Sequence, residues 1–540
     1  MNTVTTQDPV IVLPGLPTTV DADAVIGQMC RRAYSPSFGT WWRRVESVGY
    51  CAHPIELVGA DTGGRRHTVW TRCNNRRAAV CPSCADLYAR DTWQLVHAGA
   101  AGGHHDVPAE VADRPQVFAT LTAPGYGSVH NATGTTCHAR TPRDTTQRCR
   151  HGNLLYCAKI HAIGDPDVGQ PLCGQCYDYL GHVLFTWHLP ELWRRFTIAL
   201  RRAVTTHLKG VGVSTDSVRV SFVKVVELQA RAIPHIHALI RLDPPGDTAT
   251  ATTASRDHIG YGPAAACGGG EPRRIIGQHP GWSSPITATE LTALIHHAAG
   301  RVRIEIPAGD DQPDQGGVRT LRFGTQIDAQ ALTSETDTAA HDPVTTGTRA
   351  SASPRLSPRR VAAYLAKYVT KSLHDFGITA RRLSAEAIGE LAVSDHVRAI
   401  LATIAGLAEH GGGTLAGIER WLHTLGYRGH ITTKSRHYST TMGALRSARA
   451  TWTRHEAIKA AAQRNQSKRS RQTTAPDEQF HDVIDPDVVA WEFDHAGHAS
   501  AGERVLVVSA ALRHIAARIT GINETRTATR SAPPTSPGAG

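Results

Sequence analysis

Between Val218 and Asp243 the chain carries two apolar runs, "VRVSFVKVVELQ" and "IPHIHALIRLD", with a short break between them. Each is rich in β-branched residues, and together they predict two strands joined by a tight turn. Just upstream, apolar positions from Leu192 to Leu208 recur with helical spacing. "SPRRVAAYLAKYVTKSLHDFG" and the patterns through about 382–424 predict further helices. Residues 244–285 are rich in Ala, Thr, Gly and Pro, and a second loose segment spans about 333–357, with a short ordered piece around "TELTALIHHAAGRVRIEIP" between them. "RNQSKRSRQ" and the final "TRSAPPTSPGAG" lack any apolar period and predict disorder. The organisation expected is a 1–50 extension, a cysteine-rich region over 51–180, a strand-bearing core over 181–243 and an insertion over 244–357. A helix over 358–375, a helical and basic region over 376–460 and a mostly disordered tail over 461–540 follow. The fold class is α+β.

Composition narrows the class. The 540 residues carry 58 Lys+Arg against 47 Asp+Glu, a net charge of +11 that suits a polyanion partner. The first residues, "MNTVTTQDPVIVLPGLP", lack a basic segment followed by a long apolar one, and no unbroken apolar run reaches 18 residues, so neither a secretory signal nor a transmembrane helix is expected. The expected location is the cytoplasm, without a membrane partner. Ten of the 11 cysteines lie before position 180. In that setting metal ligation is a better reading than a disulfide framework.

In a strand, residues two apart share a face and sit about 6–7 Å apart. His235 and His237 therefore project together, and Ile236, Ala238, Ile240 and Leu242 form the opposite, apolar face. Two imidazoles on one face can share a cation. If the turn centres near Arg231, Glu227 comes opposite His235 and can add a carboxylate oxygen, which suits Mg²⁺ or Mn²⁺. Taken alone, one H-x-H is more often a polar strand face.

A second constellation changes that balance. Tyr364, Lys367, Tyr368 and Lys371 stand at i, i+3, i+4 and i+7, one stripe of a helix whose other stripe is Ala362, Leu365, Ala366, Val369 and Leu373. A phenol, with a pKa of about 10, is a poor nucleophile at neutral pH unless a cation polarises its electrophile. Phosphodiester cleavage supplies that pairing, with a metal and a lysine neutralising the transition-state charge.

The cysteines hold two C-x2-C knuckles. Cys73, Cys81 and Cys84 form one set, with Cys51 or His53 as fourth ligand; Cys137, Cys149, Cys157, Cys173 and Cys176 form a second pool, with His138, His151 and His161 nearby. Two structural Zn²⁺ ions are expected, with Cys149, Cys157, Cys173 and Cys176 as the second ligand set. Arg72, Arg76 and Arg77 lie in the first knuckle's loop and could meet DNA. Further on, "YRGHITTKSRHYSTT" mixes Arg428, Lys434, Arg436 and His437 with Tyr427 and Tyr438, a composition suited to single-stranded DNA.

These motifs resemble one family. "PHIHALIRLD" resembles the histidine-hydrophobe-histidine motif of HUH endonucleases, "FATLTAP" (Phe118 to Pro124) their first strand motif, and "YLAKYVTK" the two-tyrosine motif of rolling-circle initiators. With "CPSCADLY", "GQPLCGQCYDY" and "RGHITTKSRHYSTT", the chain is similar over roughly residues 45–450 to replication initiators of actinomycete plasmids and integrative conjugative elements. The resemblance implies an HUH core, an antiparallel sheet with flanking helices, into which the zinc-binding region is inserted. It implies His235, His237 and Glu227 as ligands of the catalytic metal and Tyr364 or Tyr368 as nucleophile. Melted or single-stranded origin DNA would be the substrate, and a host helicase and polymerase the partners, since the chain has no G-x4-G-K-[ST]. A conjugative relaxase, a transposase and a non-catalytic zinc-dependent regulator are the competing readings.

Overall fold

The computed structural model describes residues 14, 20–61, 63–139, 148–245, 281–307, 318–332, 356–370, 376–378, 382–410, 413–469 and 490–531. The chain divides into two compact units. One combines the described residues up to Asp91 with those from Arg446; the other takes the described residues from Thr92 to Leu445.

The larger unit is built on five antiparallel strands. Among the elements that precede it are β1 (Ile55–Ala60) and β2 (Arg66–Thr71); the sheet itself takes β3 (Gln116–Leu121), β4 (Arg219–Leu228), β5 (Pro234–Asp243), β8 (Ile327–Ala331) and β9 (Thr432–Lys434), in the order β8-β3-β5-β4-β9. β5 is central and buried along its whole length. Ile236, Ala238, Ile240 and Leu242 join a core with Leu192, Phe196 and Leu200 of helix α4 (Tyr179–Gly210) and Leu291 and Ile295 of α5 (Ala288–Arg301). The apolar face expected of β5 is thus the one covered by helices.

The structure departs from the expected boundaries in three places. α4 begins near Asp178, whose side chain accepts from the Gly181 N–H, and passes through Pro190. The proline removes one donor but does not end the helix, because both flanking turns bury apolar side chains. Within the 244–357 insertion, the short ordered piece expected around 289–307 is α5 and β6 (Arg303–Pro307), but the order extends further, to β7 (Val318–Arg322), which pairs with β6, and to β8, which pairs with β3. Within the insertion, 246–280, 308–317 and 333–355 lie outside the described residues. The tail expected to be mostly disordered contains strand β10 (Ala490–Ala496), paired with β1, and a helix over Ala501–Ser531.

In the smaller unit, α1 (Ala22–Ala33), capped by Asp21, and α2 (Phe38–Ser47) replace the irregular opening. Trp41 and Val45 of α2 pack on Val507 of the C-terminal helix. The window Ala501–Glu524 of that helix is long and apolar enough to cross a membrane by length and composition, and is 28% buried within the protein. Its apolar Val505, Val507 and Val508 are all buried.

At the C-terminal end of β5 lies a buried charge cluster. Arg241 bonds Asp243 through Nε at 2.7 Å and Nη2 at 3.0 Å, the Tyr438 carbonyl at 3.0 Å, and the Gly99 carbonyl. Arg114 adds a contact of 2.8 Å to Asp243. Removing one partner of a buried ion pair leaves the other charge uncompensated. Arg241→Ala is expected to lower stability by about 3–5 kcal/mol in chemical denaturation. Arg241→Lys should recover only part, because one ammonium cannot reach three partners at once.

Candidate functional site

The site grows from the β4–β5 hairpin. Its register sets Glu227 opposite His235 and Val225 opposite His237, while β3 sets Thr120 opposite His237. His235 and His237 therefore share the face away from α4, with the Glu227 carboxylate between them. Glu227 Oε2 lies 3.0 Å from His237 Nε2 and 3.5 Å from His235 Nε2. Donor atoms of all three residues fall within 4.8 Å of one another, and all three are buried. The Thr120 hydroxyl meets His237 Nδ1 at 3.1 Å, which orients the ring so that Nε2 faces the carboxylate. His235 Nδ1 is buried with no hydrogen-bond partner among the described residues. Burial also holds the His235 imidazole below its ordinary pKa, favouring the neutral form that can donate a lone pair.

This donor set fits a divalent cation. Cis ligands at about 2.1 Å in an octahedron are about 3.0 Å apart, close to the Glu227–His237 spacing. Two nitrogens and one carboxylate oxygen leave open positions for water or a phosphate oxygen.

Helix α6 (Pro358–Tyr368) lies over this face. Ser357 caps it and Pro358 stands at its start, while Val361, Ala362, Leu365 and Ala366 are buried. The opposite stripe presents both tyrosines to the triad. The Tyr364 ring is 5.1 Å from His237, 5.7 Å from Phe118 and 4.6 Å from Tyr368, and the Tyr368 ring is 5.7 Å from His237. Lys367 Nζ is 5.8 Å from the Tyr368 ring centre. Lys371 lies outside the described residues. Tyr364 is 39% exposed, so its ring has one side to solvent. Burial, the Tyr368 hydroxyl and the charges of Glu227 and Asp328 push its phenol above the usual pKa. A cation held by Glu227 would oppose that shift.

Sequence reading missed the residues that hold the hairpin tip. Ala232, at φ 59, turns the chain in the left-handed region. His182 Nε2 donates to the Ala232 carbonyl at 3.3 Å, and His396 Nε2, from α7 (Asp395–His410), donates to the Arg231 carbonyl at 3.0 Å. Their Nδ1 atoms accept from Tyr177 at 3.0 Å and Tyr179 at 3.2 Å. Burial pushes the His182 pKa down to about 3, so it stays neutral. Gly169 closes the other side: at φ +89, a Cβ there would lie 2.3 Å from the Ala230 carbonyl oxygen. Lone histidines on helices carry no sequence signal for such a role.

Among the described residues, nine cysteines and three histidines form three tetrads. Cys51, Cys73, Cys81 and Cys84 make one, with Sγ···Sγ distances of 3.7 Å (Cys51–Cys84), 3.8 Å (Cys51–Cys81) and 3.7 Å (Cys73–Cys84). These are far too long for disulfides and match the edge of about 3.8 Å of a tetrahedron with 2.3 Å Zn–S bonds. Backbone N–H groups of Ala52 and Cys73 donate to Cys81 and Cys51 at 3.3 Å. The second pool separates into two sets of four. His130, Cys137, Cys157 and His161 form one, and Cys149, His151, Cys173 and Cys176 the other. This corrects the placement of Cys157 with Cys149, Cys173 and Cys176: an antiparallel bridge between His138 and Cys157 folds Cys157 back toward Cys137, and His151 takes its place. His138 itself bonds the Val129 carbonyl at 2.8 Å. Asp165 meets His161 Nδ1 at 2.8 Å, the carboxylate support usual for a ligating imidazole. The Asn153 amide, 3.1 Å from Cys173 Sγ, pulls that thiol down to about 6.

The basic stretch near 430 departs from expectation. Tyr438 is fully buried, with its ring 5.0 Å from the Arg241 guanidinium, so it cannot stack on a base. Arg428 stacks 4.3 Å from the Trp187 ring and donates to the Trp187 carbonyl. Lys434 belongs to β9, and burial lowers its ammonium to about 8. Arg436 is exposed. In the smaller unit, Arg72 donates to Ser83 at 3.2 Å.

Residues 37–512 match the family model described as replication initiator protein, pSAM2 (RepSA). The chain belongs to this family. The initiator is also 33% identical over 528 residues to a replication initiator protein of Streptomyces ambofaciens, covering 92% of this chain and 95% of that relative. No solved structure matches it.

His182→Phe and His396→Phe each leave one tip carbonyl of the initiator without its donor. Amide exchange over 229–235 is expected to accelerate by about tenfold in each, the equivalent of one hydrogen bond, while the β6–β7 ribbon is unchanged.

Proposed function

We propose that the initiator binds origin DNA and nicks one strand by tyrosine attack, starting rolling-circle replication. The observation that carries this reading is the pair of phenols on α6, each ring 5–6 Å from His237, which stands with Glu227 and His235 in one donor set. Mg²⁺ or Mn²⁺ at that triad would withdraw charge from the non-bridging oxygens of the scissile phosphate. Glu227 and the two imidazoles would hold that cation, which would position the phosphate; Lys367, beside Tyr368, offsets part of the transition-state charge. The phenol oxygen of Tyr364 or Tyr368 forms a bond to phosphorus as the bond to the 3′ oxygen breaks. The phenol gives up one proton and the departing 3′ oxygen gains one. A free 3′-OH remains to prime synthesis, and the 5′ end stays on tyrosine. The phosphotyrosine bond is close in energy to the diester it replaces, so attack by a 3′-OH rejoins the strand. The second tyrosine allows a second cleavage while the first is occupied.

The three cysteine-containing tetrads suit structural Zn²⁺. Unwinding and synthesis fall to a host helicase and polymerase.

Incubating the initiator with single-stranded origin DNA and Mn²⁺ is expected to yield a covalent adduct on a denaturing gel. The adduct should disappear with EDTA, with Tyr364→Phe plus Tyr368→Phe, and with His235→Ala plus His237→Ala. Wild-type protein that binds every origin strand without forming an adduct would leave the regulator reading in place. Support of a plasmid carrying only its origin separates an initiator from a relaxase or transposase. Elemental analysis of purified protein is expected to show three zinc ions per chain, one for each tetrad. His151→Ala should remove one, and no zinc at all would sink the assignment.

A further inference from the structure

On the far side of the larger unit from the tyrosines, α4 and the α5–β6 junction enclose an open groove of about 400 Å³. Five of its eight lining residues are arginines, namely Arg194, Arg195, Arg202, Arg301 and Arg303; the others are Ile198, Ala199 and Val302. Arg194, Arg195 and Arg202 fall on the outer stripe of α4, whose inner stripe of Leu192, Phe196 and Leu200 is core. Arg322 extends the charge, because it stands directly opposite Arg303 on the exposed face of the β6–β7 ribbon. Like charges so placed repel, and are tolerated at a cost unless an anion lies between them. Glu191 pairs with Arg194 at 2.6 Å and Arg195 at 2.9 Å. Arg202, Arg301, Arg303 and Arg322 form no ion pair among the described residues.

We infer that this groove binds the phosphate backbone of duplex origin DNA, separately from the strand presented to the tyrosines. Arg195 and Arg202 are seven residues apart, about 10 Å along the helix, a spread that suits a polyanion and not one small anion. The groove walls hold no aromatic ring on which an unpaired base could stack, which favours duplex over single strand. Ile236, Ala238 and Ile240 of β5 lie between α4 and the sheet, whereas His235 and His237 face α6. A strand in the nick site and a duplex in the groove therefore occupy opposite faces of one sheet. The inference rests on origin binding by the initiator and not on tyrosine nicking.

The test uses the full-length initiator with Arg202→Ala, Arg301→Ala and Arg303→Ala combined, and a labelled origin duplex titrated between 50 and 200 mM KCl. Loss of three phosphate contacts is expected to weaken duplex binding about tenfold or more and to flatten the log Kd against log salt slope by about 2.7. The same three positions changed to Lys should keep the slope, since the charge remains. Adduct formation on a short single strand should match wild type. Should wild type form no adduct, the nicking reading fails and the groove result stands by itself. Unchanged duplex affinity and slope in the alanine triple overturns the inference, and so does an equal loss in both triples, which would mark a structural effect. Unchanged duplex binding combined with lost plasmid replication would assign the groove to an acidic protein instead.

Discussion

The antiparallel pairing of β4 with β5 is the constraint on which the candidate site depends. Glu227 meets His235 across the ladder, and His237 follows two residues later on the same face. Because side chains alternate, a slip of one residue would turn both imidazoles into the α4 core and bring Ile236 and Ala238 out beneath the tyrosines. The register is held from both ends. At the tip, His182 and His396 take the Ala232 and Arg231 carbonyls respectively, and Gly169 approaches so closely that no side chain fits. At the base, Asp243 is fixed by Arg241 and Arg114.

Burying one carboxylate and two imidazoles on a sheet face is costly without compensation. Here the groups compensate one another: Glu227 lies against both imidazoles, and Thr120 holds the remaining nitrogen of His237. Among the described residues, His235 Nδ1 has no hydrogen-bond partner. Helix α6 covers this polar patch with rings instead of aliphatic side chains, so the layer above the triad is itself made of hydroxyl-bearing groups. The same helix is anchored by Val361, Ala362 and Leu365, which separates its holding from its chemistry.

Between β3 and α4 the described chain has almost no regular strand or long helix and adds little to the main core, in which Ala123 is among its few members. Two tetrads of sulfur and imidazole donors stand where a larger domain would place a hydrophobic cluster. Gly169, between His161 and Cys173 of the two sets, reaches the tip of the hairpin that carries Glu227, His235 and His237.

Local pattern determined much of this protein. Period-two apolarity marked β4 and β5, the i, i+3, i+4 spacing put Tyr364, Lys367 and Tyr368 on one stripe, and the short break near Arg231 was enough to bring Glu227 to His235. These are short-range consequences of backbone geometry. Tertiary structure alone decided the rest. Cys157 belongs with His130 and not with Cys149 because a loop folds back, which no spacing records. Tyr438 reads as a surface aromatic in a basic run, yet it is core, because Arg241 and the segment near Gly99 close over it from distant parts of the chain. Val507 and Val508 stand in a tail expected to be mostly disordered, yet they are core, because α2 and the cysteines of the first tetrad pack against them. Burial is a property of which distant segments meet, and a local pattern cannot say which they are.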